Sequence, residues 1–80
     1  MPDIFERMQK IIADQFSVDP EEITMDTAFE GDLGADSVDL VELVMSMEEE
    51  FEIGEVQEEE LARLSTVSDC VEFLTNKLDD

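Results

Sequence analysis

A chain of 80 residues has room for one small domain, expected to span residues 1–80, with a limited core because short chains bury a smaller fraction of their surface. Its 24 acidic residues stand against four basic ones, and the net charge of −20 excludes most nucleic-acid and anionic-membrane roles while favouring basic protein partners and a monomeric state. Apolar content of 42% with five Phe argues against disorder, and a single cysteine, unable to form an internal disulfide, fits a reducing compartment.

The opening segment MPDIFERMQKII interleaves charges with apolar residues, so neither a secretory signal nor a membrane insertion is expected, and the protein reads as soluble and cytoplasmic. Asp3 followed by Glu6 is a helix-starting pattern, and Ile4, Phe5, Met8, Ile11 and Ile12 then gather on one face. A first helix is predicted over about residues 3–15, with that stripe in the core. From Phe16 to Asp36 runs a long connection, which in so small a domain is functional or has structure of its own. Asp19-Pro20-Glu21-Glu22 predicts a single helical turn, and Val18, Ile23, Phe29 and Leu33 are spaced to pin an ordered loop over the core.

The stretch from Leu33 to Phe51 organises the rest. Asp36 and Ser37 offer side-chain oxygens to the first free N–H groups of a helix that starts there. At about 100° per residue, Leu40, Leu43, Val44, Met47 and Phe51 form a core stripe. Val38, Val41 and Met45 fall on a second, narrower face flanked by Glu42, Glu48 and Glu49. Closing a core needs one stripe. The second, beside a row of carboxylates, suits docking of basic partners, with apolar contact giving affinity and charge giving steering and register.

Gly54 then marks a break, and Glu58 to Leu64 offers a short helix with Leu61 and Leu64 facing inward. A last helix is predicted from about Val67 to Leu78 with Val67, Val71, Leu74 and Leu78 on its core side, Cys70 at the edge and Phe73 partly covered. The fold class is all-α: a small four-helix bundle of three longer helices and one short one, with a long ordered first loop.

The chain has no histidine, which removes Ser–His and Cys–His nucleophiles and makes zinc a poor fit. Asp26, Glu30, Gly31 and Asp32 match part of a calcium loop, but Ala28 and Ser37 stand where an oxygen ligand and a bidentate glutamate are needed, so no metal site is expected. Solvated glutamates make poor general acids, and no enzymatic activity is expected. Spacing leaves two roles open for Ser37, a plain helix cap or a hydroxyl modified by another enzyme. A phosphodiester there would meet free N–H groups and the positive end of the helix dipole, opposed by Asp36 and Asp39.

Leu33-Gly34-Ala35-Asp36-Ser37-Val38-Asp39, followed by Val41-Glu42-Leu43-Val44-Met45 and Glu48-Glu49-Glu50-Phe51, closely resembles the acyl carrier proteins of bacterial-type, dissociated fatty acid synthesis. The first helix, Val18-Asp19-Pro20-Glu21-Glu22-Ile23 and Ser65-Thr66-Val67-Ser68-Asp69 extend the resemblance over nearly the whole chain. It implies that Ser37 is esterified by a 4′-phosphopantetheine arm, set there from coenzyme A by a carrier protein synthase, a phosphopantetheinyl transferase. The arm's thiol would carry growing acyl chains as thioesters, sheltered between the helices. It would present them to ketoacyl synthases, acyl transferases, reductases and dehydratases with basic docking patches. Asp36, Val38, Asp39, Val41, Glu42, Met45, Glu48 and Glu49 would form the docking face. Two departures stand out: Val38 where the family usually has Leu, and a segment Gly54-Glu55-Val56-Gln57-Glu58 one residue longer than the usual Ile-Pro-Asp-Glu passage. A carrier for polyketide or other specialised acyl transfer is the nearest rival, and an acidic interaction module without prosthetic group is a rival of another class.

Overall fold

The computed structural model describes residues 3–78. Four helices form: α1 (Ile4–Phe16), α2 (Ser37–Phe51), α3 (Glu58–Leu61) and α4 (Val67–Leu78), with a 3-10 turn at Pro20–Glu22 in the first loop. Asp3 caps α1, its Oδ1 accepting from the Glu6 N–H at 2.8 Å, and Ser17 ends it in a left-handed conformation (φ 57°). Met8, Ile12 and Ala13 of α1 meet Leu43, Val44, Met47 and Phe51 of α2 and Val67, Cys70 and Leu74 of α4 in one core.

The first loop is ordered by that core and by its own hydrogen bonds. Ile23 and Phe29 are buried in the core, and the partly buried Val18 and Leu33 pack against it. Asp19 caps the 3-10 turn, and the Gln9 side chain donates to the carbonyls of Pro20 (3.0 Å) and Ile23 (2.9 Å), tying the turn to α1. Farther on, the loop pairs with the start of α4. Phe29 N–H donates to Ser65 O, Val67 N–H to Thr27 O and Ser68 N–H to Met25 O, with an isolated antiparallel bridge between Ala28 and Thr66. Asp69 secures the same corner by accepting from Ser65 and Thr66 N–H, and those two donors hold its carboxyl below the usual range.

Four expectations are corrected. The short helix stops at Leu61 rather than Leu64, because Arg63 and Leu64 switch to tighter bonds on Glu60 and Leu61, which leaves Ser65 free to receive Phe29. Leu78 is not core but 46% exposed. Val71 and Thr75 already lie beside Asp3, Ile4 and Phe5 at the head of α1, so one turn later no helix among the described residues reaches far enough to cover it. Leu40 is only half-buried and borders a cleft. The N-terminal stripe is likewise graded, with Ile4, Phe5 and Ile11 half-buried beside the sealed Met8 and Ile12.

Charge is poorly compensated in this frame. Among the described residues two ion pairs form, Arg7–Glu50 at 3.3 Å and Lys77–Glu60 at 3.4 Å, both solvent-accessible. Arg7 does more than pair. Its guanidinium donates to the Glu50 carbonyl at 2.8 Å and lies 4.3 Å from the Phe51 ring centroid, placing a cation at the end of α2, which has no basic residue in its own last turn. With 24 acidic residues in the chain, added salt or magnesium should raise the melting temperature. Relief of about 1 kcal/mol corresponds to a gain of ~4–8 °C for a domain of this size. Thermal scans at low and high ionic strength check this, and an indifferent midpoint would refute the repulsion account.

Candidate functional site

The site is assembled where the first loop delivers the chain into α2. Gly34 takes a left-handed conformation (φ 66°), which lets Ala35 turn inward, buried, with its N–H donating to Phe29 O at 2.8 Å. The next residue, Asp36, is the N-cap. Its Oδ1 accepts from Asp39 N–H at 2.9 Å, and Asp39 Oδ2 accepts from Asp36 N–H at 3.1 Å, a reciprocal capping box. Ser37 is therefore the first helical residue, exposed, with the capping duty already met by its neighbour. That removes the plain-cap role for its hydroxyl.

Beside Ser37 opens a cleft of about 570 Å³, lined by Leu40 and Val41 of α2, Ala28, Phe29 and Glu30 of the first loop, and Glu58, Leu61, Ala62, Leu64 and Ser65 of α3 and the turn after it. Such a volume lies in the range of pockets that hold small ligands. Its floor is apolar and Ser37 stands on its rim. The pattern along α2 announces neither Phe29 nor Leu64 as part of it, since the cleft exists only once loop and short helix are folded against α2.

The second stripe of α2 runs beside the cleft and shares Val41 with it. Val38, Val41 and Met45 are 62%, 45% and 57% exposed, and Glu42 and Glu49 are exposed beside them. Asp36 is exposed and Asp39 half-buried, both engaged in the capping box. Glu48 is half-buried, and its Oε2 accepts from Val56 N–H at 2.7 Å. All eight residues assigned to a docking face thus lie on α2 or its cap, and Glu48 has a structural duty that helical spacing does not disclose.

The remaining nucleophile is silent. Cys70 is fully buried, and burial, reinforced by the charge of Asp69, pushes its thiol up to about 12, far from thiolate at neutral pH. Among the described residues no cluster of three His, Cys, Asp or Glu is placed to hold a metal, and no helix is long and apolar enough to cross a membrane.

The arrangement offers an accessible hydroxyl at a cleft, on a helix with a carboxylate-rimmed apolar face. Comparison with known proteins gives the family. The family model described as the phosphopantetheine attachment site matches residues 6–74. An acyl carrier protein of Thermosynechococcus vestitus is 47% identical over 76 residues, covering 95% of this chain and 93% of the relative. Acyl carrier proteins of Clostridium perfringens and Clostridium acetobutylicum are each 49% identical, the first over 90% of this chain and 93% of its own, the second over 89% and 91%. The chain belongs to the acyl carrier proteins of the phosphopantetheine-attachment family. Members of that family are carriers rather than catalysts, and phosphopantetheine is their prosthetic group.

Proposed function

We propose that the chain, a single carrier domain over residues 1–80, holds growing fatty acyl chains on a 4′-phosphopantetheine arm attached to Ser37 and presents them to the enzymes of fatty acid synthesis in the cytoplasm. The observation that supports this most is the exposed Ser37 hydroxyl at the head of α2, freed from capping by Asp36 and set on the rim of the cleft. The free N–H groups and dipole of the first turn favour a phosphodiester there. In the loading step, Ser37 Oγ bonds to the pantetheine-side phosphorus of coenzyme A, the phosphoanhydride bond breaks, and adenosine 3′,5′-bisphosphate leaves. The hydroxyl proton goes to a base of the phosphopantetheinyl transferase.

Once attached, the arm supplies a flexible thiol that bears the acyl group as a thioester. The chain contributes shelter and address. Leu40, Phe29, Leu61 and Leu64 offer apolar surface within reach of Ser37 for an acyl chain between deliveries. Asp36, Val38, Asp39, Val41, Glu42, Met45, Glu48 and Glu49 form the face read by ketoacyl synthases, acyl transferases, reductases and dehydratases with basic patches. The chain itself catalyses nothing. Incubation with coenzyme A and a phosphopantetheinyl transferase should raise the intact mass by one phosphopantetheine, and no gain would end the proposal.

The docking face has its own test. Met45→Ala removes an exposed apolar contact and Glu42→Lys reverses an exposed charge, so each should weaken binding to a ketoacyl synthase by about tenfold, with helicity unchanged. Titration calorimetry and circular dichroism check the two halves. For Glu42→Lys the loss should shrink as salt is added. Unfolding by either change would show that this face belongs to the core.

A further inference from the structure

We propose that Glu48 is a positioning residue through which a docked partner loosens the wall of the cleft, a proposal that rests on the carrier reading above. Glu48 sits on α2 beside Met45 and Glu49, yet its carboxylate leaves that face to accept the Val56 N–H at 2.7 Å. Val56 is partly buried against the core, and the next residue, Gln57, is the N-cap of α3. A carboxylate on the docking face therefore holds the segment that launches α3.

The position of α3 is sensitive to such a tie. With four residues it is a single turn, too short to persist without outside support. Leu61 and the following Leu64 nevertheless supply the cleft wall that faces Leu40 and Val41. The supports are the Gln57 N–H donating to Glu60 Oε1 at 3.1 Å, the exposed Glu60–Lys77 pair leading to α4, the apolar packing of Leu61, and the Glu48–Val56 bond at the entrance. The last is charge-assisted and originates on α2.

A carboxylate engaged by an incoming arginine or lysine is drawn from Val56, whose N–H then turns to solvent. The segment 52–57 and α3 loosen, and the cleft opens when docking is made. Without a partner the bond keeps the wall in place. A partner can shift this balance only by binding the loosened state more tightly, and a cation on Glu48 supplies that difference.

Amide hydrogen exchange by NMR, on both the unmodified and the octanoyl-loaded chain, reads the wall directly. Glu48→Ala should speed exchange at Val56 and Leu61 by about tenfold. Glu48→Gln, which keeps an acceptor oxygen, should restore most of the protection. Glu49→Ala, with the same loss of charge and no bond to the segment, should leave Val56 as in wild type. Acetylated hexa-arginine amide, at matched ionic strength, should speed Val56 exchange in wild type and leave the already fast Glu48→Ala unchanged. On the loaded chain, hydroxylamine should cleave the octanoyl thioester several-fold faster in Glu48→Ala than in wild type. Unchanged exchange in Glu48→Ala, no rescue by Gln, or no response to the peptide overturns the proposal. A wild-type thioester as labile as free octanoyl-pantetheine, or a Ser37 that takes no load, counts against the carrier reading instead, because the exchange arms are read on the unmodified chain too.

Discussion

Ser37→Ala is expected to abolish the mass gain from coenzyme A and a phosphopantetheinyl transferase completely, while melting within a few degrees of wild type. Loss of loading follows because, among the described residues, no second hydroxyl has the same setting: exposed, first in a long helix, on the rim of the cleft. Ser46, one alternative on α2, is half-buried and faces the groove toward α1 with Ile11, Asp14 and Gln15. The preserved stability follows from the division of labour at the helix start. Asp36 satisfies the Asp39 N–H and Asp39 reciprocates, so removing the Ser37 hydroxyl deletes no cap, and an exposed first-turn substitution of this kind changes stability by about 0.5 kcal/mol or less. Asp36→Ala, by contrast, removes the cap and should cost about 1 kcal/mol. Intact-mass spectrometry with a thermal scan checks both halves. Loading that survives Ser37→Ala would move the attachment point, and a collapse in stability would mean the hydroxyl has a structural partner.

Phe29→Ala should bring the domain to the edge of unfolding. Phe29 is 1% exposed and is among the largest fully buried side chains. Truncating a buried Phe costs about 3–5 kcal/mol, through lost transfer energy and the void left behind. At roughly 0.05–0.15 kcal/mol per residue the whole domain holds only ~4–12 kcal/mol. The backbone of Phe29 also joins the first loop to Ser65 and to Ala35, so the void lies between the approach to α2 and the cleft wall. We expect a urea midpoint far below wild type, a melting temperature lower by at least ~12 °C, and partial recovery in high salt. A loss under about 1 kcal/mol would show that the first loop is draped over the core rather than built into it.

Several features were legible without coordinates because they are local. The apolar spacing of Met8 and Ile12, of Leu43, Val44 and Met47, and of Val67 and Leu74 identifies three helices and their buried sides. Asp3, Asp19 and Asp36 mark helix or turn starts because a short acidic side chain reaches its own next N–H groups. The exposed stripe of Val38, Val41 and Met45 is likewise a matter of angle along one helix. Where local spacing misled, a distant element intervened. Leu78 continues the stripe of α4 but outruns α1, and Leu64 leaves the helical pattern because Ser65 is claimed by Phe29.

Composition and periodicity alone were enough for the all-α class, the helix starting at Asp36 and Ser37, and the surplus apolar face with its carboxylates, since each depends on neighbours within a turn or two. Only the folded chain decided that Asp36 rather than Ser37 caps α2, that loop, α2 and α3 enclose a cleft at that hydroxyl, and that Glu48 reaches Val56. The cleft and the Glu48–Val56 bond are contacts between segments whose separation is set by the packing of the core, and no repeat along the chain encodes a distance across it.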